Sequence, residues 1–165
     1  MLSLQLNPEQ AFLLLAVVAY TLASLVAWAG EIGGKQVDAV VHLTVSVGMV
    51  ASLLAIVIRW QVTGNGPFLT LYEVLLSNLF SLGLLYGLAH WRFPGVRVGA
   101  LPALAVIAVL STWAVGVPRE AGVLPATYEN SWLWVHVIAG KLFLGACLVA
   151  TSCWSGWSRC AGCSR

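Results

Sequence analysis

Charge is what this chain has least of. Of its 165 residues, eight are Lys or Arg and six are Asp or Glu, only 8% in all. The basic residues are scattered, which excludes the positive stripe that a nucleic-acid surface requires. The first ten residues contain no Lys or Arg, so the basic start of a secretory signal peptide is missing. The first apolar run therefore reads as a retained helix. No Ser-His-Asp set, paired-carboxylate arrangement or phosphate-cradling loop is visible, so no side-chain catalytic site is in view. Alternation of period two is absent, which excludes a membrane β-barrel. There is no internal repeat and no polar stretch long enough for a soluble domain.

Cysteine is also sparse, with four in the chain. Cys147 and Cys153 fall in an apolar run and read as packing thiols. Cys160 and Cys163 form C-A-G-C, a spacing shared by redox pairs and half metal sites. It is not a haem-attachment site, because Ser164 stands where that motif needs histidine.

What remains is apolar. Hydrophobic residues make up 60% of the chain, and the mean hydropathy is +0.91. A water-soluble core of this length does not need so much, so the chain belongs in a bilayer. Five runs are long enough, or nearly so, to cross one: about Ala11 to Gly30, Ala39 to Ile58, Phe68 to Ala89, Val98 to Val117 and Trp132 to Cys153. Backbone groups in lipid must bond within their own segment, so these runs predict helices. The fold class expected is all-α, a polytopic transmembrane bundle of about five spanning helices. Trp154 to Arg165 is too polar to span and too short to fold alone, and reads as an interfacial or disordered tail. Lys35, Arg92, Arg97, Arg159 and Arg165 lie at one end of this arrangement, and Arg59 and Arg119 at the other. The positive-inside rule then puts the N-terminus outside.

Few residues in the runs carry chemistry. On the fifth, Trp132, His136 and Gly140 are four apart and share a helix face. An imidazole nitrogen can ligate haem iron, an indole can stack on a macrocycle, and a glycine leaves room for its edge. An ordinary interfacial aromatic belt explains the same residues equally well. Lys141 is costly at depth and is expected to snorkel or to pair with an acid, with Glu73 as the natural partner. His42 and His90 begin and end their runs at a shared depth. That depth permits a bis-histidine haem b, although hydrogen bonding within the bundle and an interfacial His90-Trp91-Arg92 cluster explain them too.

Two segments together carry a resemblance. Pro67-Phe68-Leu69-Thr70-Leu71-Tyr72-Glu73 resembles the "FPLSNLYES" segment of the membrane haem-handling proteins of cytochrome c biogenesis, of the CcsA/ResC-like, system II type. Ile58-Arg59-Trp60 is similar to that family's "TRW" ahead of the same loop. Val123 to Leu148, "VLPATYENSWLWVHVIAGKLFLGACL", resembles its "LVPALQSxWLxxHVxxxxLGYAAL" segment. The resemblance covers roughly Ile58 to Cys153.

It implies a protein that takes haem b, as cargo, to the outer membrane face for attachment to apocytochrome c. A second cytochrome c biogenesis membrane subunit, ResB-like, is implied as partner, in a bacterial plasma membrane or a thylakoid-type membrane. The family's external histidine ligand falls on His136. Its Tyr-Glu motif falls on Tyr72 and Glu73, as pocket-lining or structural residues. The W-G-x-x-W-x-W-D loop of the family is absent, and Lys141 has no counterpart. The chain thus resembles an N-terminal part that supplies one axial ligand and part of a wall. Two other readings stay open on the residues alone. One is a small haem b or quinone-linked electron-transfer subunit using His42 and His90. The other is a membrane scaffold without a cofactor.

Overall fold

A computed structural model describes residues 7–34, 36–64, 68–122 and 130–162, with side chains as far as Trp157. All secondary structure among the described residues is helical: α1 (Pro8–Gly33), α2 (Asp38–Thr63), α3 (Leu71–Arg92), α4 (Pro94–Val98), α5 (Ala100–Gly116) and α6 (Ser131–Gly162). Four helices are long and apolar enough to cross a membrane, namely α1, α2, α3 and α6. With this composition the chain is an integral membrane protein.

Local chemistry sets the ends. Pro8 opens α1, where its missing N–H costs nothing. Gly34 and Gly64 close α1 and α2 in the left-handed conformation that only glycine adopts without strain. Thr70 and Glu73 cap α3 reciprocally. Asn130 starts α6, its side-chain oxygen accepting from the Trp132 N–H at 3.0 Å.

The fourth run differs from expectation at its start. Pro94 ends α3 at Arg92, and Pro94–Val98 form a single short turn of helix before Gly99. The apolar helix that follows, α5, has 17 residues, somewhat short of a full hydrocarbon span of about 20. At the other extreme α6 runs on as helix to Gly162. Trp154 to Gly162, expected as a tail, is therefore a helical extension. The 158–162 side chains and residues 163–165 lie outside the described part, so the C-A-G-C pair has no described geometry.

The core lies between α1, α2, α3 and α5, with Leu13, Tyr72, Leu76, Leu79, Leu104 and Ile107 buried in it. Tyr20 is its keystone. The ring lies across Gly48 of α2 and Gly83 of α3, and its hydroxyl donates to the Leu79 carbonyl at 3.0 Å. A Cβ on Gly83 would fall on the Tyr20 hydroxyl, so the three helices meet only because that position is glycine.

Helix α6 is attached differently. It packs on α3, α4 and α5, yet almost none of its spanning stretch is buried. Contact is confined to one stripe. Gly145 sits against Leu85, and Gly156 against the backbone at Gly95 and Gly99.

Gly83→Ala is expected to destabilise the bundle by about 1–3 kcal/mol through overpacking. The cost should shrink in a Tyr20→Phe background, where the hydroxyl is gone. Gly116→Ala, with open space around it, should be neutral. Equilibrium unfolding in mixed micelles measures all three.

Candidate functional site

Two polar clusters interrupt the apolar bundle, one at each end. The first is built where α2 ends and α3 begins. Arg59 and Glu73 are 7% and 2% exposed, and the Arg59 Nε donates to Glu73 Oε1 at 3.1 Å. The other carboxylate oxygen accepts the Leu69 and Thr70 N–H groups at 3.0 and 3.3 Å. Arg59 Nη2 donates to the Glu120 carbonyl at 3.1 Å, which ties down the segment after α5. Arg59 and Arg119 stand 5.4 and 5.6 Å from the Tyr72 ring centroid, the cation–π range. Glu9, buried in the first turn of α1, is a further charged neighbour of Tyr72.

The expected Lys141–Glu73 pair does not form. Both Glu73 oxygens are occupied by Arg59 and the capping amides, so its charge is already compensated. Lys141 Nζ instead donates to Ser77 Oγ at 2.8 Å and Asn78 Oδ1 at 2.6 Å, and lies 5.2 Å from the Phe68 ring centroid. Neutral oxygens and an aromatic face solvate the ammonium from within. Thr70-x-x-Glu73 is a capping-box spacing, the signal in the sequence that ties Glu73 to a helix start. Nothing in the sequence pairs Arg59 with Glu73 or brings Arg119 onto Tyr72, because the first contact joins the end of α2 to the start of α3 and the second joins the segment after α5 to α3, and both depend on how the helices pack.

The residues offered as a haem stripe lie on α6. At about 100° per residue, Trp132, His136 and Gly140 fall opposite Trp134, Lys141, Gly145 and Ser152. The latter group faces the bundle: Trp134 meets Phe68 edge-on at 5.3 Å, and Ser152 is buried. Trp132 is 76% exposed, His136 is exposed, and a Cβ on Gly140 would meet nothing within 4 Å. The imidazole is thus offered outward from the bundle on an open, flat stretch of helix. Tyr72 and Glu73 are not brought to that surface. They are interior residues at the same end of the bundle.

The second cluster is at the opposite end. His42 and His90 are brought together, their rings stacked at 5.8 Å between centroids and 13° between planes. Tyr86 lies 5.7 Å from His90. Arg97 holds the end of α3 by donating to the carbonyls of His90 and Trp91 at 2.9 and 2.8 Å. Among the described residues, His42 Nδ1, His90 Nε2 and the Tyr86 hydroxyl have no hydrogen-bond partner, and no group of three metal-ligating side chains occurs.

Comparison with known proteins adds one relative. The chain is 33% identical over 97 residues to the cytochrome c biogenesis protein CcsA of Ranunculus macranthus. The similarity supports a cytochrome c biogenesis relationship. The matched stretch covers 54% of this chain but 31% of that protein, so the chain spans about a third of the relative's length. No family model matches the chain, and no solved structure matches it.

The buried pair yields a stability prediction. Arg59→Ala leaves Glu73 charged and unpaired, and should cost about 3–5 kcal/mol. Glu73→Gln added to it should recover part of that loss, because the uncompensated charge is removed. A double-mutant cycle by unfolding in mixed micelles reads the coupling; additive effects would mean that the two residues do not interact.

Proposed function

We propose that this chain is a haem-handling membrane component of cytochrome c assembly, with His136 as an axial ligand to haem b carried as cargo. The observation that carries the reading is the exposure of His136 on the outward face of α6, in a chain whose sequence is similar to a cytochrome c biogenesis protein. When bound, haem would supply an iron centre for ligation, and the vinyl groups of its porphyrin ring would be the points of attachment to apocytochrome c thiols. The chain's own part would be to hold and orient it. The His136 nitrogen would ligate, Trp132 would offer an indole face a turn away, and Gly140 leaves the helix surface flat.

The uneven distribution of Lys and Arg supports an external position for this end of the bundle, with the N-terminus outside. Arg59, Glu73, Tyr72 and Arg119 then act as the rigid base from which α6 departs. They fix the loops on either side of the ligand rather than touch the cargo. The surface of α6 opposite the bundle is one wall of a site. In this reading a ResB-like membrane subunit or further helices face it, and apocytochrome c meets the cargo at the outer surface. The compartment is a bacterial plasma membrane or a thylakoid-type membrane.

Haemin titrated into the protein in lipid nanodiscs should give a saturable Soret shift. His136→Ala should weaken binding about tenfold or more, the loss of a metal ligand outweighing a single hydrogen bond. His42→Ala should leave it unchanged. No saturable binding by the wild type, or equal binding by His136→Ala, would remove the basis of this assignment.

A further inference from the structure

The histidine pair at the other end of the bundle stands between two cavities. One, of about 520 Å³, is a vestibule where α1 ends, α2 begins and α3 meets α4, with Glu31, Gln36, Asp38, His90 and Arg97 set among apolar residues. The other, of about 260 Å³, lies between α2 and α3 and is lined by His42, Ser46, Met49, Gly83, Gly87 and Trp91. Leu88 and Trp91 on its rim are exposed, so this second cavity opens sideways, toward lipid. The stacked imidazoles of His42 and His90 join the two.

We propose that the cavity between α2 and α3 binds the headgroup of a quinone-class redox lipid, with the His42 imidazole hydrogen-bonded to a ring oxygen. Size comes first. The cavity is slightly below the ~300 Å³ at which ligand pockets usually begin, so it takes a single or fused ring and not a macrocycle. Shape comes second. Gly87 leaves part of the α3 wall without a side chain, a Cβ there meeting only Val45 at 3.6 Å, and the lateral opening gives an isoprenoid tail a path into the bilayer. Polarity is the third argument. The Ser46 hydroxyl is spent on the His42 carbonyl at 2.8 Å, which leaves the imidazole as the polar anchor. A neutral imidazole both donates and accepts, matching the carbonyl of a quinone and the hydroxyl of a hydroquinone. An acyl chain would have no use for it.

The vestibule favours the same class. His42 leads to His90, and His90 leads to the vestibule with its carboxylates. His42 Nδ1 and His90 Nε2 have no partners among the described residues, and a water could satisfy either. A ligand that exchanges protons is served by that route. The site is remote from His136 and independent of the haem assignment.

The test is photolabelling of the whole protein in nanodiscs with an azidoquinone, mapped by peptide mass spectrometry. Label is expected on residues 42–49 and 83–91, and excess decyl-ubiquinone should suppress it. His42→Phe should lower the competed label about tenfold, the effect of one lost hydrogen bond in a desolvated site. Gly87→Val should do the same by filling the cavity; a Cβ there meets only Val45, at 3.6 Å. Val109→Phe, on the exposed face of α5, should retain full labelling. The proposal fails if label follows lipid exposure over α6 as strongly as over this cavity. It also fails if the quinone does not compete, an outcome read on the wild type whatever the variants do. Undiminished competed labelling in folded His42→Phe and Gly87→Val would overturn it too.

Discussion

A guanidinium and a carboxylate buried side by side where two membrane helices meet cannot be left half made. Arg59 and Glu73 satisfy one another, and the remaining atoms of each are spent on backbone: Glu73 on the first amides of α3, Arg59 on the Glu120 carbonyl. One ion pair thus fixes the α2–α3 connection and the segment after α5 together. In a low-dielectric interior the penalty for separating such charges is large. That makes this end of the bundle its least adjustable part. Arg59 and Arg119 both lie over the Tyr72 ring, which draws the segment after α5 into the same cluster.

The two ends of the molecule therefore do different work. At one end charge is compensated and locked, and the helix that follows, α6, turns its histidine away from the lock. At the other, the His42 and His90 rings lie beside two cavities. The rigid end holds a surface, and the open end holds spaces.

The helices were largely legible in the sequence because lipid enforces them: a long apolar run with few charges has little choice. The fourth run was harder, since Pro94 and Gly99 cut its start into a separate turn, and only 17 residues remain in the apolar helix. The extension of α6 past Cys153 was also not visible, because Trp154 to Gly162 is polar by composition while its packing on α4 through Gly156 is not a property of composition. Among site residues, His136 was marked by its tryptophan neighbours, and the structure leaves it exposed. Lys141 was assigned the wrong partner for a physical reason. A charge at depth calls for compensation, but a hydroxyl, an amide oxygen and an aromatic face supply it as well as a carboxylate does. The meeting of His42 and His90 followed from shared depth; the near-parallel setting of their rings did not.

The narrow attachment of α6 has a consequence for biosynthesis. A chain made from its N-terminus places α1, α2, α3 and α5 in the membrane before α6 leaves the ribosome. All of their mutual contacts, including the Tyr20 keystone and the Arg59–Glu73 pair, can form in its absence. Helix α6 then docks on a finished platform along a single seam of small residues, Gly145, Ser152 and Gly156, with its other side still unclaimed. A helix added in this way can be inserted correctly while its outer face remains open for whatever assembles later.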